Sequence, residues 1–342
     1  MKRTYTILLL VLVLSAAMRV YTAYTEPLPS FDDEVAHFSF AAYVHDFGTL
    51  PDFSWSRAID TAVIVRGILV KTQEVYTYQN YQQPLYYLMA APFVGFGPRG
   101  VRYFSVALFV AGAALLLPYV TDKAAWIVFL LLPGSIVALS AITNQSLAFF
   151  AGCLFVVAWY RRLLGLLLVS SLVLALAKAT GVVIVCAAFL YLVFKHKDKR
   201  YDKQWAVLVP AVIAGVIAMI SRMSLDAPNS HHPLGIFFNV EMWIVRLSDF
   251  LVSGIFHPGL NSGPLLALPV AVFTVVVIGY WVVRSIMRGG FSLMSVSASA
   301  GLLFILGFMG FSSFGQGRWL YELAPMLVTM GYGSVATPNS WR

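Results

Sequence analysis

Pro84-Leu-Tyr-Tyr-Leu-Met-Ala-Ala-Pro-Phe-Val-Gly-Phe-Gly97 is apolar almost throughout, yet at about 14 residues it falls short of a membrane crossing. An α-helix needs ~20 residues to span the ~30 Å hydrocarbon layer. The stretch also holds Pro84, Pro92, Gly95 and Gly97, which weaken a regular helix. Whether it crosses decides the sidedness of everything after it. The other apolar runs lie at about 5–23, 101–120, 124–141, 145–160, 163–177, 181–194, 204–221, 264–283, 292–311 and 318–334. Beside them sit basic clusters: Lys2-Arg3, Lys123, Arg161-Arg162, Lys195 to Lys203, Arg284 with Arg288, and Arg342. Basic residues flanking membrane helices favour the cytoplasm. If 84–97 crosses, Lys123, Arg161-Arg162 and Lys195–Lys203 all fall outside. If it does not, every cluster falls inside. The expectation is therefore an interfacial or re-entrant helix at 84–97 and about ten spanning helices, with both termini cytoplasmic.

Composition agrees with that class. Of 342 residues, 60% are hydrophobic and 11% are charged. Soluble chains carry about 25% charged residues, so most side chains here face lipid or other apolar helices. Aromatics at 15% suit interfacial belts of Trp and Tyr. The net charge of +8 is spread over the topology clusters, which removes nucleic acid as the expected partner. Cys153 and Cys186 both lie in apolar runs, with no disulfide framework and no Cys-rich metal site. The first run, Tyr5 to about Ala23, is long enough to span and is read as a transmembrane helix rather than a cleaved signal. The fold class expected is all-α: one polytopic transmembrane bundle over 1–342. Residues 24–100 form a first outer segment with interfacial helices and an acidic motif, and 222–263 a second outer segment. Residues 34–47 read as an amphipathic helix on the membrane surface.

Most of the uncommon polar residues fall on this outer face, near helix ends. Ionisable residues in such bundles are functional candidates, and each also has a plainer reading. Asp32-Asp33-Glu34 opens the 34–47 helix, where carboxylates cap free N–H groups and suit the dipole. Three acids meeting near a bilayer also suit a general base, and Asp33 and Glu34 are the catalytic candidates. His37, one turn on, shares that site, binds a metal or is structural. Lys178 either snorkels to the interface or holds a phosphate. Gln316 and Arg318, flanked by Gly315 and Gly317, open the last apolar run, where free N–H groups favour an anion; an interfacial anchor is the alternative for Arg318. Gln83, Tyr86, Arg102 and Asn144 complete the substrate-binding candidates. His231, His232 and His257 are weak candidates for a divalent metal, the one cofactor considered. No P-loop, dinucleotide fingerprint, HExxH or GxSxG occurs, which argues against a nucleotide-driven pump and common hydrolases.

The order of these segments resembles a family. Ser30-Phe-Asp-Asp33-Glu34-Val-Ala-His37 follows the first helix, then Gln83-Pro84-Leu85-Tyr86-Tyr87, Arg102-Tyr-Phe-Ser105, Thr143-Asn144-Gln145, Lys178-Ala-Thr-Gly181 and Gln316-Gly-Arg318-Trp-Leu. From about 5 to 330 the chain is similar to the GT-C superfamily of polyprenyl-phosphate-dependent glycosyltransferases, in particular the aminoarabinose transferase and protein O-mannosyltransferase group. The resemblance implies a catalytic base in an outer "DE" motif, here Asp33-Glu34 with Asp33 as the base. It implies an outer-face "PPLYY" helix at Gln83–Tyr87, with Gln83 in place of the first Pro. Asn144 stands near the family's "LD" acid, and Lys178 and Arg318 match its "TKG" and "GRY". The implied activity is inverting transfer of a sugar from a lipid-phosphate donor to a cell-envelope glycan, lipid or protein. Branches of the family differ in using a divalent metal. Two rival classes remain: a lipid or sugar transporter or flippase, and a non-catalytic subunit of a glycan-assembly complex.

Overall fold

A computed structural model describes residues 2–26, 32–51, 56–59, 63–65, 68–70, 73–76, 82–195, 203–223, 244–245, 248, 252, 292–311, 321 and 323–329. The order begins with α1 (Lys2–Thr25), α2 (Asp32–Phe47), strands β1 (Ser56–Ile59), β2 (Val63–Val65), β3 (Ile68–Val70) and β4 (Gln73–Tyr76), then α3 (Leu85–Ala90). A 3-10 helix (Ala91–Phe96) leads into α4 (Gly97–Leu116). There follow α5 (Lys123–Leu131), α6 (Pro133–Ser140), α7 (Gln145–Arg161), α8 (Leu164–Ala177), α9 (Ala179–Lys195), α10 (Gln204–Met223), α11 (Leu293–Phe311) and α12 (Ala324–Thr329).

Among the described residues, three helical runs are long and apolar enough to cross a membrane: Thr4–Thr25, Leu85–Tyr119 and Gln204–Ser221. A fourth is reached if α5 and α6 count as one bent span. α7, α8 and α9 have 17, 14 and 17 residues, short of a full crossing by length. The expected count of about ten spans is thus met only in this coarser form. The run at 264–283 and the outer segment at 222–263 lie almost wholly outside the described residues. α1 packs on α4, α5 and α6; α4 packs on α7; α7 on α8; α8 and α9 on α10; and α9 on α11. An aromatic layer of Phe109, Trp126, Phe129 and Phe149 fills the middle of this body. The outward faces of α1 and α10 stay apolar and exposed, with Leu10, Leu14 and Tyr21 on the first and Ile213, Ile217 and Ile220 on the second.

Four local features bear on the expectation. The 84–97 segment runs on into α4, but the backbone leaves the helical conformation at Gly97 (φ 72°, ψ −174°) and α3 folds back beside α4, with the Tyr86 hydroxyl 2.8 Å from Ser105 Oγ and Phe93 stacked on Phe104 at 4.8 Å. α4 by itself, with 20 residues, is long enough to cross. α2 is helical as expected, and most of it from Glu34 to Val44 is buried, with Val35 and Tyr43 half-buried. It is enclosed by α3, the 3-10 helix and strands β1 and β4. Those strands are an addition to the helical reading of 24–100. β1 pairs with β4 (Ser56↔Tyr76) and β2 with β3 (Val65↔Ile68), both antiparallel.

The fourth is at 124–141, read as one span. Pro133 has no N–H to continue the ladder, and α5 and α6 meet there at 63°. Two of the carbonyls freed at the break are covered by side chains. Ser135 Oγ donates to the Phe129 carbonyl (2.6 Å) and Ser15 Oγ to the Leu130 carbonyl (2.6 Å). Arg19 of α1, fully buried, donates through Nη1 to the Leu130 carbonyl (3.2 Å) and Ser15 Oγ (2.8 Å), and through Nη2 to Ser135 Oγ (2.9 Å). Its guanidinium lies 3.8 Å from the centroid of Phe109. The Phe129 and Leu130 carbonyls at the break are therefore already taken.

Candidate functional site

The site grows from the first turn of α2. Glu34 is fully buried and takes a bidentate pair from Arg102 of α4: Nε to Oε1 at 2.7 Å and Nη2 to Oε2 at 2.6 Å. The Ile142 backbone N–H adds a third bond to Oε1 at 2.9 Å, and Arg102 Nη1 donates to the Glu26 carbonyl at 2.6 Å. One carboxylate thus ties three places together: the start of α2, the first turns of α4, and the chain just after α6, and both its oxygens are engaged. Its neighbour Asp33 sits in the same helical turn.

α3 supplies the next layer. His37 Nδ1 and the Tyr87 hydroxyl are 2.6 Å apart, and the Tyr87 ring stacks on Phe40 at 3.8 Å. The Tyr86 hydroxyl meets Ser105 Oγ at 2.8 Å and the Thr143 backbone. Side chains of Gln82 and Asn144 join through Asn144 Nδ2 donating to Gln82 Oε1 at 3.0 Å. Gln83 and Gln145, the next residue on each strand of chain, are buried with side-chain oxygens that have no donor.

Lys178 lies at the joint of α8 and α9 and is itself largely buried. Ala177 before it belongs to the same buried cluster as Phe40, Tyr86, Tyr87, Ile142 and Leu147. α3 also packs directly on α8. Gly181 makes this joint possible. A Cβ there would meet the Leu174 carbonyl oxygen at 1.9 Å, so only Gly lets α9 start so close to the end of α8.

The structure therefore brings the α2 start, Gln83, Tyr86, Arg102, Asn144 and the Lys178 joint to one end of the bundle. Gln316, Arg318, His231, His232 and His257 lie outside the described residues. Among the described residues no group of three His, Cys, Asp or Glu side chains gathers to hold a metal. Arg19 and Gln145 received no role from sequence reasoning. An Arg inside the first apolar run was the signal for one. An amide at the start of α7 was the signal for the other. The chain matches no family model, no curated protein and no solved structure.

Proposed function

We propose that the protein is a membrane-embedded inverting glycosyltransferase using a sugar on a polyprenyl phosphate. The observation that carries the reading is the convergence just described. An acidic helix start, a buried lysine joint and a row of amide and hydroxyl side chains meet at one end of an apolar bundle. Sugar transfer from a lipid phosphate needs such a set: a base for the acceptor, a cation for the phosphate and polar groups for the sugar. The acceptor oxygen attacks the anomeric carbon and its proton passes to Asp33. The bond from that carbon to the phosphate oxygen breaks, and the electron pair leaves with the phosphate. Lys178 and Arg318 offset the charge on the departing group. Glu34 and Arg102 hold the α2 start, so that Asp33 keeps its place. The lipid tail runs along the apolar exterior, and the site faces the non-cytoplasmic side, with both termini cytoplasmic. The acceptor is a cell-envelope glycan, lipid or protein.

A transporter reading draws on one observation, the bent α5–α6 span with a buried arginine beside it, because broken helices form substrate sites in many transporters. Against it, the Phe129 and Leu130 carbonyls at this break are already taken by Ser15, Arg19 and Ser135. The test is transfer of radiolabelled sugar from a panel of polyprenyl-phosphate donors, with detergent-purified protein and a membrane extract as acceptor. Transfer by the wild type and a loss of at least 100-fold in Asp33→Asn, typical of a removed general base, support the enzyme. Equal transfer by the two proteins removes Asp33 as the base; no transfer from either turns the weight to a transporter or an accessory subunit.

A further inference from the structure

We infer that Gln83 and Gln145 form a hydroxyl-recognition pair that holds a neutral sugar ring. The inference rests on the transfer reading and deepens it. Each residue is 2% exposed, and in each the side-chain carbonyl oxygen is buried without a donor. Buried amide oxygens are nearly always bonded in folded proteins, so each case calls for an explanation. Here there are two, on chain segments that are held to each other. The Gln82–Asn144 bond (3.0 Å) pins one chain segment to the other, and the two oxygens belong to the residues that follow, at 83 and 145. Both backbones are fixed. Gln145 is the first residue of α7, its N–H 3.4 Å from Thr143 Oγ1. Gln83 precedes Pro84, the cap of α3.

The chemistry of the missing partner follows from what a carbonyl oxygen does: it accepts. An ionised phosphate also only accepts, and a lipid tail does neither, so neither part of the donor satisfies these groups. An O–H does. An ammonium also donates, but a buried cation needs a carboxylate; Glu34 is already committed to Arg102, and in the proposed transfer Asp33 is engaged by the acceptor. The two amide oxygens therefore fit ring hydroxyls of an uncharged sugar. Asn144 and Gln82 then serve as the brace that spaces the pair.

A site built to bond a hydroxyl rejects the analogue that lacks it, because its own polar group is left unpaired. The experiment measures kcat/KM for polyprenyl-phosphate hexoses and their monodeoxy forms, in wild type, Gln83→Leu and Gln145→Leu. Gln83→Met and Gln145→Met are kept for a leucine variant that fails to fold. Wild type should lose roughly ten- to hundredfold on removal of one particular hydroxyl, the span set by leaving a buried group unpaired. In the variant at the matching glutamine, the parent sugar should be the poorer substrate by a similar factor, and the deoxy sugar should no longer be disfavoured. Variants that keep the wild-type ranking of the whole deoxy panel while still transferring sugar overturn the pair and leave the enzyme standing. A wild type that transfers from no donor overturns the enzyme reading, and the pair's role with it.

Discussion

Glu34 and Arg102, both singled out by their chemistry in the sequence, meet as a pair in the structure. Both are buried to within a few per cent, and the pair is bidentate. Removing one member of such a pair leaves a buried charge and costs about 3–5 kcal/mol, whereas removing both is often nearly neutral. Glu34→Gln is therefore expected to lower thermal stability in detergent by several degrees or to prevent folding. The double variant Glu34→Gln with Arg102→Met should regain most of the loss. If the single variant keeps full stability, the pair does not hold α2 to α4. The sequence showed an acid at a helix start and an arginine on the same side, because residue type and sidedness are local properties. It did not show that they meet, because the pairing spans 68 positions and depends on how two helices cross.

At the scale of elements, the α5–α6 break and the α8–α9 joint carry the consequences. The Leu130 carbonyl has two donors, Ser15 Oγ and Arg19 Nη1. Either Ser15→Ala or Arg19→Met leaves one of them in place. The double variant strips both and leaves a buried carbonyl, a cost of about 1–3 kcal/mol that neither single change carries alone. A double-mutant cycle of unfolding midpoints should show the pair costing more than the sum of its parts; strict additivity would mean that the two side chains do not share this carbonyl. Gly181 and Gly301 give a second comparison. A Cβ at Gly181 meets a backbone oxygen at 1.9 Å, while at Gly301 the nearest atom is the mobile Leu323 Cδ2 at 2.6 Å. Gly181→Ala should therefore destabilise by several kcal/mol, and Gly301→Ala by only about 1–3. Because Gly181 sets the Lys178 joint, its alanine variant should also lose transfer activity out of proportion to any folded protein that remains. Pro133 and Gly181 were both visible in the sequence. A proline in an apolar run announces a break in the ladder, but not its angle or the Arg19 side chain that fills it. The β-hairpin at 56–76 was missed for a related reason. Its strands are only three or four residues long, too short for alternation to stand out from an irregular outer segment.

For the whole molecule, the membrane class was legible from apolar run length and charge deficit, both of which sum over many residues and so tolerate local error. Sidedness rests on the path of one element, α4, whose 20 residues are long enough to cross the hydrocarbon. α3 and the 3-10 helix before it fold back beside its start, pack on α2 and expose Leu88, Met89, Phe93 and Phe96, as suits a segment at the headgroup level. That end holds the candidate site, so the site and Thr49 should share one side of the membrane. Lys123, past the far end of α4, should lie on the other. Two single-cysteine proteins test this directly, built in a Cys153→Ser, Cys186→Ser background: Thr49→Cys and Lys123→Cys, both at exposed positions. A membrane-impermeant maleimide added to intact cells stripped of any outer envelope should label the first, and should label the second only after permeabilisation. The opposite pattern would place the site in the cytoplasm and remove the polyprenyl-phosphate donor from reach, since the proposal presents that sugar on the outer leaflet. Labelling of both from one side would mean that α4 does not cross, and the parity argument would fall with it.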